Sequence, residues 1–511
     1  MIRVEYSRDL HLAPGIIKTG SIFCLFVTTL GGGLVYAQDF EPSTSLGRTD
    51  GFTELQQRTG DAIQTVCGAF INASQDPDGG IDNSRNDVAQ QQVLFDKCGE
   101  MVHTANVLAG AEPGSAGTAK DLGITADELG AAVQNAAAEE VAAAGSLATE
   151  SVARQSSTVG RRLSSLLSRV SSLQLSSANM TGAGGMIAAG SLATDSLVGG
   201  AAAADDALAS PFGFYVNGLG ARSDKDATEG EDGFEASSTG LSLGFDYLIT
   251  PTIVGGVNLG YTSSTTDFDT TLDVDGGDLE SEQINISGYG MWFSDSAYVD
   301  VIAGFSSGSF DMTRRIVING AEGATDNSQP DNPQANDGVN DTVRAETDSS
   351  AFRFGVGGGY EFRSGGLSFA PYGRISLLSV DLDAYQETGD SALKLSVNKQ
   401  SIESLTGAVG FRLSKTFSTS KAIISPQLSV ELIHEFDDDS RQIVSTYVHD
   451  PRNTQLIVVT DSPDRNYYTI GAGASAVLQG GTQLYTEIRS LQSLEDLKEL
   501  SIAAGIRFEF M

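Results

Sequence analysis

The chain has 511 residues, 40% of them hydrophobic, and a formal net charge of −35. That length suggests two or three domains, and the composition fits neither a helical membrane protein nor a disordered chain. The acidity excludes a nucleic-acid partner, because phosphate contacts need clustered Lys and Arg; it fits a solvated acidic surface or one that binds divalent cations.

Residues 1–37 read as an export signal. Arg3, Arg8 and Lys18 supply positive charge, Ser21 to Val35 is apolar, and Val35-Tyr36-Ala37 matches a small-x-small cleavage site. The alternative is a membrane anchor, but the run is short and broken by Gly31, Gly32 and Gly33. Beyond the signal two cysteines remain, Cys67 and Cys98. An even number in an exported chain suggests a disulfide, with two reduced buried thiols as the alternative. Closing a loop of about thirty residues is worth roughly 3 kcal/mol in the loop-entropy account.

Residues 38–110 are expected to form a helical hairpin. Ile63, Val66, Cys67 and Phe70 share one face at helical spacing, and Val88, Val93, Leu94, Met101, Val102 and Leu108 supply a second apolar run. Residues 111–178 contain a Gly/Ala/Ser linker, then one long helix opened by a capping box at Thr125-Ala-Asp-Glu. Its stripe of Val152, Val159, Leu163, Leu166, Leu167 and Val170 is interleaved with Arg154, Arg161, Arg162 and Arg169. These arginines fit a solvated face as well as a functional one. Residues 179–210 read as a Gly/Ala/Ser-rich tether.

From residue 211 to 511 the apolar period changes to two, as in Leu241-Ser-Leu-Gly-Phe-Asp-Tyr and Ile502-Ala-Ala-Gly-Ile-Arg-Phe-Glu-Phe. Alternation alone fits a soluble sandwich or a membrane barrel. No stretch after the signal is apolar enough for a membrane helix, so insertion would be as a barrel. Strands are expected near 211–222, 236–249, 252–266, 281–294, 296–313, 347–363, 367–384, 401–416, 422–436, 465–479, 481–491 and 499–510. Their connections alternate between short turns and long polar loops such as 314–346 and 437–464. That sorting marks an outer-membrane barrel with its short turns periplasmic. The expected fold class is therefore all-β, a twelve-stranded antiparallel transmembrane β-barrel preceded by a mostly α-helical exported region.

The same alternation places Asp246, Arg412, Glu431, Glu487, Arg489, Arg507 and Glu509 in the lumen. A basic side chain facing lipid at the midplane would cost roughly 2–4 kcal/mol, which favours the inward assignment. Twelve strands enclose a space between the filled eight-stranded barrel and the open sixteen-stranded pore. The helix and tether before the first strand are candidates to occupy it; an open pore is the competing expectation. Acidic loop residues Asp224, Asp226, Glu229, Glu231, Asp232, Asp437, Asp438 and Asp439 read as solvated, with cation bridging to lipopolysaccharide as the alternative.

Six motifs in order then resemble one family. Gly240-Leu-Ser-Leu-Gly-Phe-Asp-Tyr and Val254-Gly-Gly-Val-Asn-Leu-Gly-Tyr-Thr resemble the second and third strands of the autotransporter β-domain, the translocator of type V secretion. Pro371-Tyr-Gly-Arg-Ile, Leu405-Thr-Gly-Ala-Val-Gly-Phe-Arg-Leu-Ser, Pro426-Gln-Leu-Ser-Val-Glu-Leu-Ile-His-Glu-Phe and Gly505-Ile-Arg-Phe-Glu-Phe resemble its later strands. The resemblance covers about residues 211–511. It implies insertion through the outer-membrane barrel assembly machinery, an upstream segment that passes through or lies in the lumen, and a terminal strand whose Ile506, Phe508 and Phe510 act as the assembly signal. Met511 follows Phe510, where the family ends on an aromatic residue. Typical passengers are long and rich in β-helix repeats, whereas residues 38–205 are short and helical.

No catalytic set emerges. Gly389-Asp390-Ser391 resembles a lipase block but is followed by Ala392, and His103 has no Gly-x-Ser-x-Gly partner in its region. Asp76-Pro-Asp-Gly-Gly-Ile-Asp82 lacks the full calcium-loop spacing, and His434 beside Glu431 and Glu435 reads as strand structure. The expectation is a non-enzymatic protein without cofactor or metal. Its partners would be outer-membrane lipids, lipopolysaccharide and the assembly machinery; the sequence names no surface or host ligand. Its barrel would anchor and translocate or present the short helical N-terminal region, or, alternatively, be a structural or pore-forming barrel with a periplasmic helical domain.

Overall fold

The computed structural model describes residues 46–73, 80–110, 121–137, 141–149, 152, 212–228, 231–269, 276–320, 338–478, 481–492 and 497–509. The export signal, residues 111–120, the tether, the arginines of the stripe and Phe510 lie outside the described residues, as do the side chains of Phe70 and Glu509.

Twelve long strands make the barrel: β1 Phe212–Lys225, β2 Phe234–Thr250, β3 Ile253–Phe268, β4 Asp278–Phe293, β5 Ala297–Ile318, β6 Val339–Tyr360, β7 Leu367–Leu382, β8 Gln400–Lys415, β9 Ala422–Glu435, β10 Asn466–Leu478, β11 Gln483–Gln492 and β12 Leu497–Glu509. Each pairs antiparallel with its neighbours in sequence, and β12 returns to β1 from Gly213↔Glu509 to Lys225↔Leu497, which closes the barrel and leaves no open edge. The rim carrying the start of β1 and the end of β12 has the short turns, such as Pro251-Thr252 and 294–296; the opposite rim has the long loops.

Alternation sorts the side chains by face. Leu241, Leu243, Phe245 and Tyr247 point outward from β2 and are exposed to the bilayer, while Ser238, Ser242 and Asp246 on its other face are buried inside. Aromatic residues cluster outside at the short-turn rim, where Phe212 packs on Phe245 and Tyr247, and Phe362 on Tyr360 and Phe369. Such belts sit at the membrane interface.

Two expectations are corrected. The connection read as 314–346 is not all loop: β5 runs on to Ile318, and β6 begins at Val339. A membrane strand needs only about ten residues, so this hairpin, with 22 residues in each strand, projects well beyond the bilayer. The 437–464 loop likewise contains strands Gln442–Tyr447 and Gln455–Val459, which pair with each other and, through Leu395–Val397, with Tyr385–Gln386 in a small four-stranded sheet.

Among the described residues, α1 Glu54–Ala73, α2 Val88–Leu108 and α3 Ala126–Ala137 sit on this long-loop rim. Capping boxes start two of them. Thr125 N–H donates to Glu128 Oε2 at 2.8 Å while Glu128 N–H donates back to Thr125 Oγ1 at 3.3 Å, and Thr53 and Gln56 reciprocate in the same way before α1. α1 buries Ile63, Val66 and Cys67 as the pattern requires. α2 buries Leu94, Cys98, Met101 and Ala105, but Val93 and Leu108 are exposed. The inward face follows positions 91, 94, 98, 101 and 105, and Val93 and Leu108 fall off it.

Cys67 and Cys98 are disulfide-bonded with Cα atoms 5.1 Å apart, joining α1 to α2. Changing both to serine is expected to destabilise the helical region by about 3 kcal/mol, the loop-closure value. The midpoint of urea unfolding, followed by near-ultraviolet circular dichroism, measures it; an unmoved midpoint would assign the bond no stabilising role.

Candidate functional site: the barrel lumen and its helical cap

The helices do not have a core of their own. Leu46, Ile63, Leu94, Met101, Leu129 and Val133 bury into one cluster with Ile316 and Ile318 of β5, Val343 of β6, and Leu395, Val397, Tyr447 and Leu456 of the loop sheet. Each such fully buried aliphatic side chain is worth about 1.5–3 kcal/mol. Polar contacts fix the join. Arg314 donates to Glu387 through Nε at 2.8 Å and Nη2 at 2.6 Å, and through Nη1 to the Asn135 carbonyl at the end of α3 at 2.5 Å. Tyr447 Oη donates to the next carbonyl, Ala136, at 3.0 Å. Both contacts fall on the last described turn of α3.

A second polar seam ties the α1–α2 connection to the loop after β9. Arg85 Nη2 donates to the Val448 carbonyl at 2.9 Å, Arg452 Nη2 to the Gly80 carbonyl at 2.7 Å, and His449 Nδ1 lies 2.7 Å from Asp87 Oδ2. The Arg85 guanidinium on Asp87 holds that carboxyl well below the usual carboxylate range, against the opposing effect of burial. In the loop after β1 the reverse holds: burial, opposed by the Gly233 N–H and reinforced by the Asp269 charge, raises Asp232 to about 6.

Residues 141–149 are helical, and along them burial changes partner. Val141 and Ala142 still belong to the cap core; Ala143, Ala144, Leu147, Ala148 and Val152 pack inside the barrel mouth against Phe234, Phe268, Leu279, Phe310, Val380 and Leu382. Gly145 lies under the Arg441 guanidinium, where a Cβ would stand 2.6 Å from Nη1. The chain is next described at Phe212, on the opposite rim. Beneath the helix is a cavity of about 430 Å³ that reaches Arg353, Arg374, Glu431 and Arg489.

The sequence-derived lumen residues fall as follows. Asp246 and Arg507 are buried and joined, Nη2 to Oδ1 at 3.1 Å. Glu431 is buried and pairs with Arg374. Glu487 and Arg489 lie 3.6 Å apart. The Arg412 guanidinium sits over the Tyr372 ring, 5.7 Å from its centroid. Glu509 pairs through its backbone with Gly213. On the outer face of β12, Phe508 is exposed and Ile506 half-buried. Arg353, Arg374 and Asp300 also belong to the lumen and were missed; counting alternation along β5, β6 and β7 would have found them. Lumen glycines provide room for neighbouring side chains. A Cβ on Gly244 would fall 1.9 Å from Tyr215 Cζ, and one on Gly213 would fall 2.1 Å from Arg507 Nη2. The first glycine therefore lets a tyrosine cross β2, and the second lets Arg507 reach Asp246.

The residues considered for catalysis occupy three separate parts of the fold. His103 is buried in α2, Ser391 is buried in the cap with its Oγ accepting from Leu393 N–H at 3.2 Å, and His434 points outward from β9. Asp82 accepts from Ser84 N–H at 2.9 Å and Oγ at 2.6 Å, and residues 76–79 lie outside the described residues.

A closed antiparallel barrel with apolar outside, polar lumen and loops sorted by rim defines an outer-membrane-type β-barrel. The Autotransporter beta-domain family profile matches residues 214–489, and the chain belongs to that family, which implies an outer-membrane location. Among solved structures it is similar to the translocator domain of autotransporter NalP from Neisseria meningitidis, at 15% identity and a TM-score of 0.44 over 59% of this chain and 88% of that one. It is also similar to the beta domain of the Bordetella autotransporter BrkA (15%, 0.38, 59% and 100%) and to the transport unit of AIDA-I from Escherichia coli (14%, 0.36, 58% and 90%). Comparison with curated proteins gives no match.

Proposed function

We propose that this protein displays its own short helical region on the cell surface as a fixed cap, and does not release a passenger. The observation carrying the reading is the shared core: α1, α2 and α3 bury their apolar faces against segments of the long-loop rim, the rim that faces the outside in barrels of this kind. A periplasmic helical domain would pack at the short-turn rim instead. Export would use residues 1–37, and insertion would use the barrel assembly machinery. The exposed surface of the cap and loops is where an adhesive or aggregating contact with a host or neighbouring cell would form.

Antibodies raised against residues 46–149 are expected to label intact cells as strongly as permeabilised ones. Labelling only after permeabilisation rejects surface display. Release of the helical region into the medium without its barrel rejects the fixed cap.

A further inference from the structure

The lipid-facing wall of a barrel is even where every outward position carries a side chain. Across β6 to β10 it is not. Two adjacent rows of outward positions cross these five strands at right angles. In one row the registers join Val356, Ile375, Gly407, His434 and Asn466; in the other they join Gly358, Gly373, Val409, Leu432 and Tyr468. The missing side chains at Gly373 and Gly407 open a trough of about 870 Å³ on this wall. Val409, Ile375 and Leu432 stand beside it with 63%, 61% and 58% of their surface exposed, Val409 paired with Gly373 and Ile375 with Gly407.

The trough has a polar end. His434 Nδ1 lies 2.8 Å from Asn466 Oδ1, and the His434 ring meets Phe436 edge-on with centroids 4.7 Å apart. Phe436 in turn leans over Gly407, where a Cβ would fall 2.8 Å from its ring. Asn466 is the first residue of β10, so this end lies at the long-loop rim; Val356 lies four residues from the short-turn end of β6. Four interstrand steps of about 4.8 Å span about 19 Å. With strands tilted about 40°, the trough descends about 12 Å from the outer rim, roughly half the apolar band. An apolar slot one leaflet deep, topped by an imidazole and an amide, matches an amphiphile of the outer leaflet.

We propose that this trough is a binding site for one acyl chain of an outer-leaflet lipopolysaccharide molecule, with His434 and Asn466 at the level of its phosphate and sugar headgroup. The inference rests on the outer-membrane placement of the barrel and is independent of whether the cap is displayed.

The test is native mass spectrometry of the full-length protein, extracted from outer membranes in mild detergent, with lipopolysaccharide as the probe. Gly373→Phe fills the slot; a Cβ there touches only the Ala408 carbonyl, at 3.6 Å, so the barrel accommodates it. Gly288→Phe is the control, since that outward glycine of β4 has nothing within 4 Å. The wild type and Gly288→Phe are expected to retain one lipopolysaccharide molecule, and Gly373→Phe to lose it by about tenfold or more, as displacing a few methylenes requires. Equal retention in all three overturns the proposal. So does retention of phospholipid alone, or a wild-type dimer that Gly373→Phe dissociates.

Discussion

Replacing Arg314 by alanine is expected to destabilise the cap by about 3–5 kcal/mol, the cost of leaving a buried carboxylate without its partner. Both side chains of the Arg314–Glu387 pair are only 5% exposed. Glu387 cannot turn to water without abandoning Leu395 N–H, which donates to its Oε2 at 2.6 Å. The same substitution frees the Asn135 carbonyl at the end of α3. Hydrogen exchange of the amides of residues 126–137 measures the loss. The double change Arg314→Met with Glu387→Met is expected to recover much of it, because a buried ion pair replaced by apolar groups of similar volume is close to neutral. Single and double variants that lose equal stability would show that the pair acts through the Asn135 contact alone.

Removing residues 121–205 is expected to open the barrel to ions. Described helical residues fill the mouth with Ala144, Leu147, Ala148 and Val152, all nearly inaccessible to solvent. Below them the wall is lined by charged groups around the 430 Å³ cavity, which water and ions can enter once the mouth clears. Planar-bilayer recordings should give a several-fold higher conductance for the shortened protein than for the full chain, since twelve strands leave more lumen than side chains alone fill. Equal currents would mean that the helix does not limit passage.

The barrel was largely legible from sequence, because its period of two and the sorting of its loops are local properties. Asp246, Glu431 and Arg507 could be assigned inward from alternation alone. Their partners could not, because pairing Asp246 with Arg507 depends on barrel closure across 261 residues. The cap was legible only in pieces. Thr125 and Glu128 announced a helix start, and Cys67 and Cys98 a staple. What the helices pack against was hidden, since Ile316, Ile318 and Val343 lie in a stretch whose polar, glycine-rich tip reads as loop. The trough on the outer wall also escaped notice, because Gly373 and Gly407 become neighbours only through the β7–β8 register, where Gly407 pairs with Ile375 beside Gly373.

The division of the cap core between the two ends of the chain sets an order of events. Ile63, Leu94, Met101 and Leu129 leave the ribosome first, while Ile316, Val343, Leu395 and Tyr447 follow well over a hundred residues later. Until the later group is in place, the helices have only part of the apolar surface that their folding requires, and most helical stability comes from such packing. The cap therefore cannot mature ahead of the barrel. The barrel itself thus supplies the residues that finish the cap.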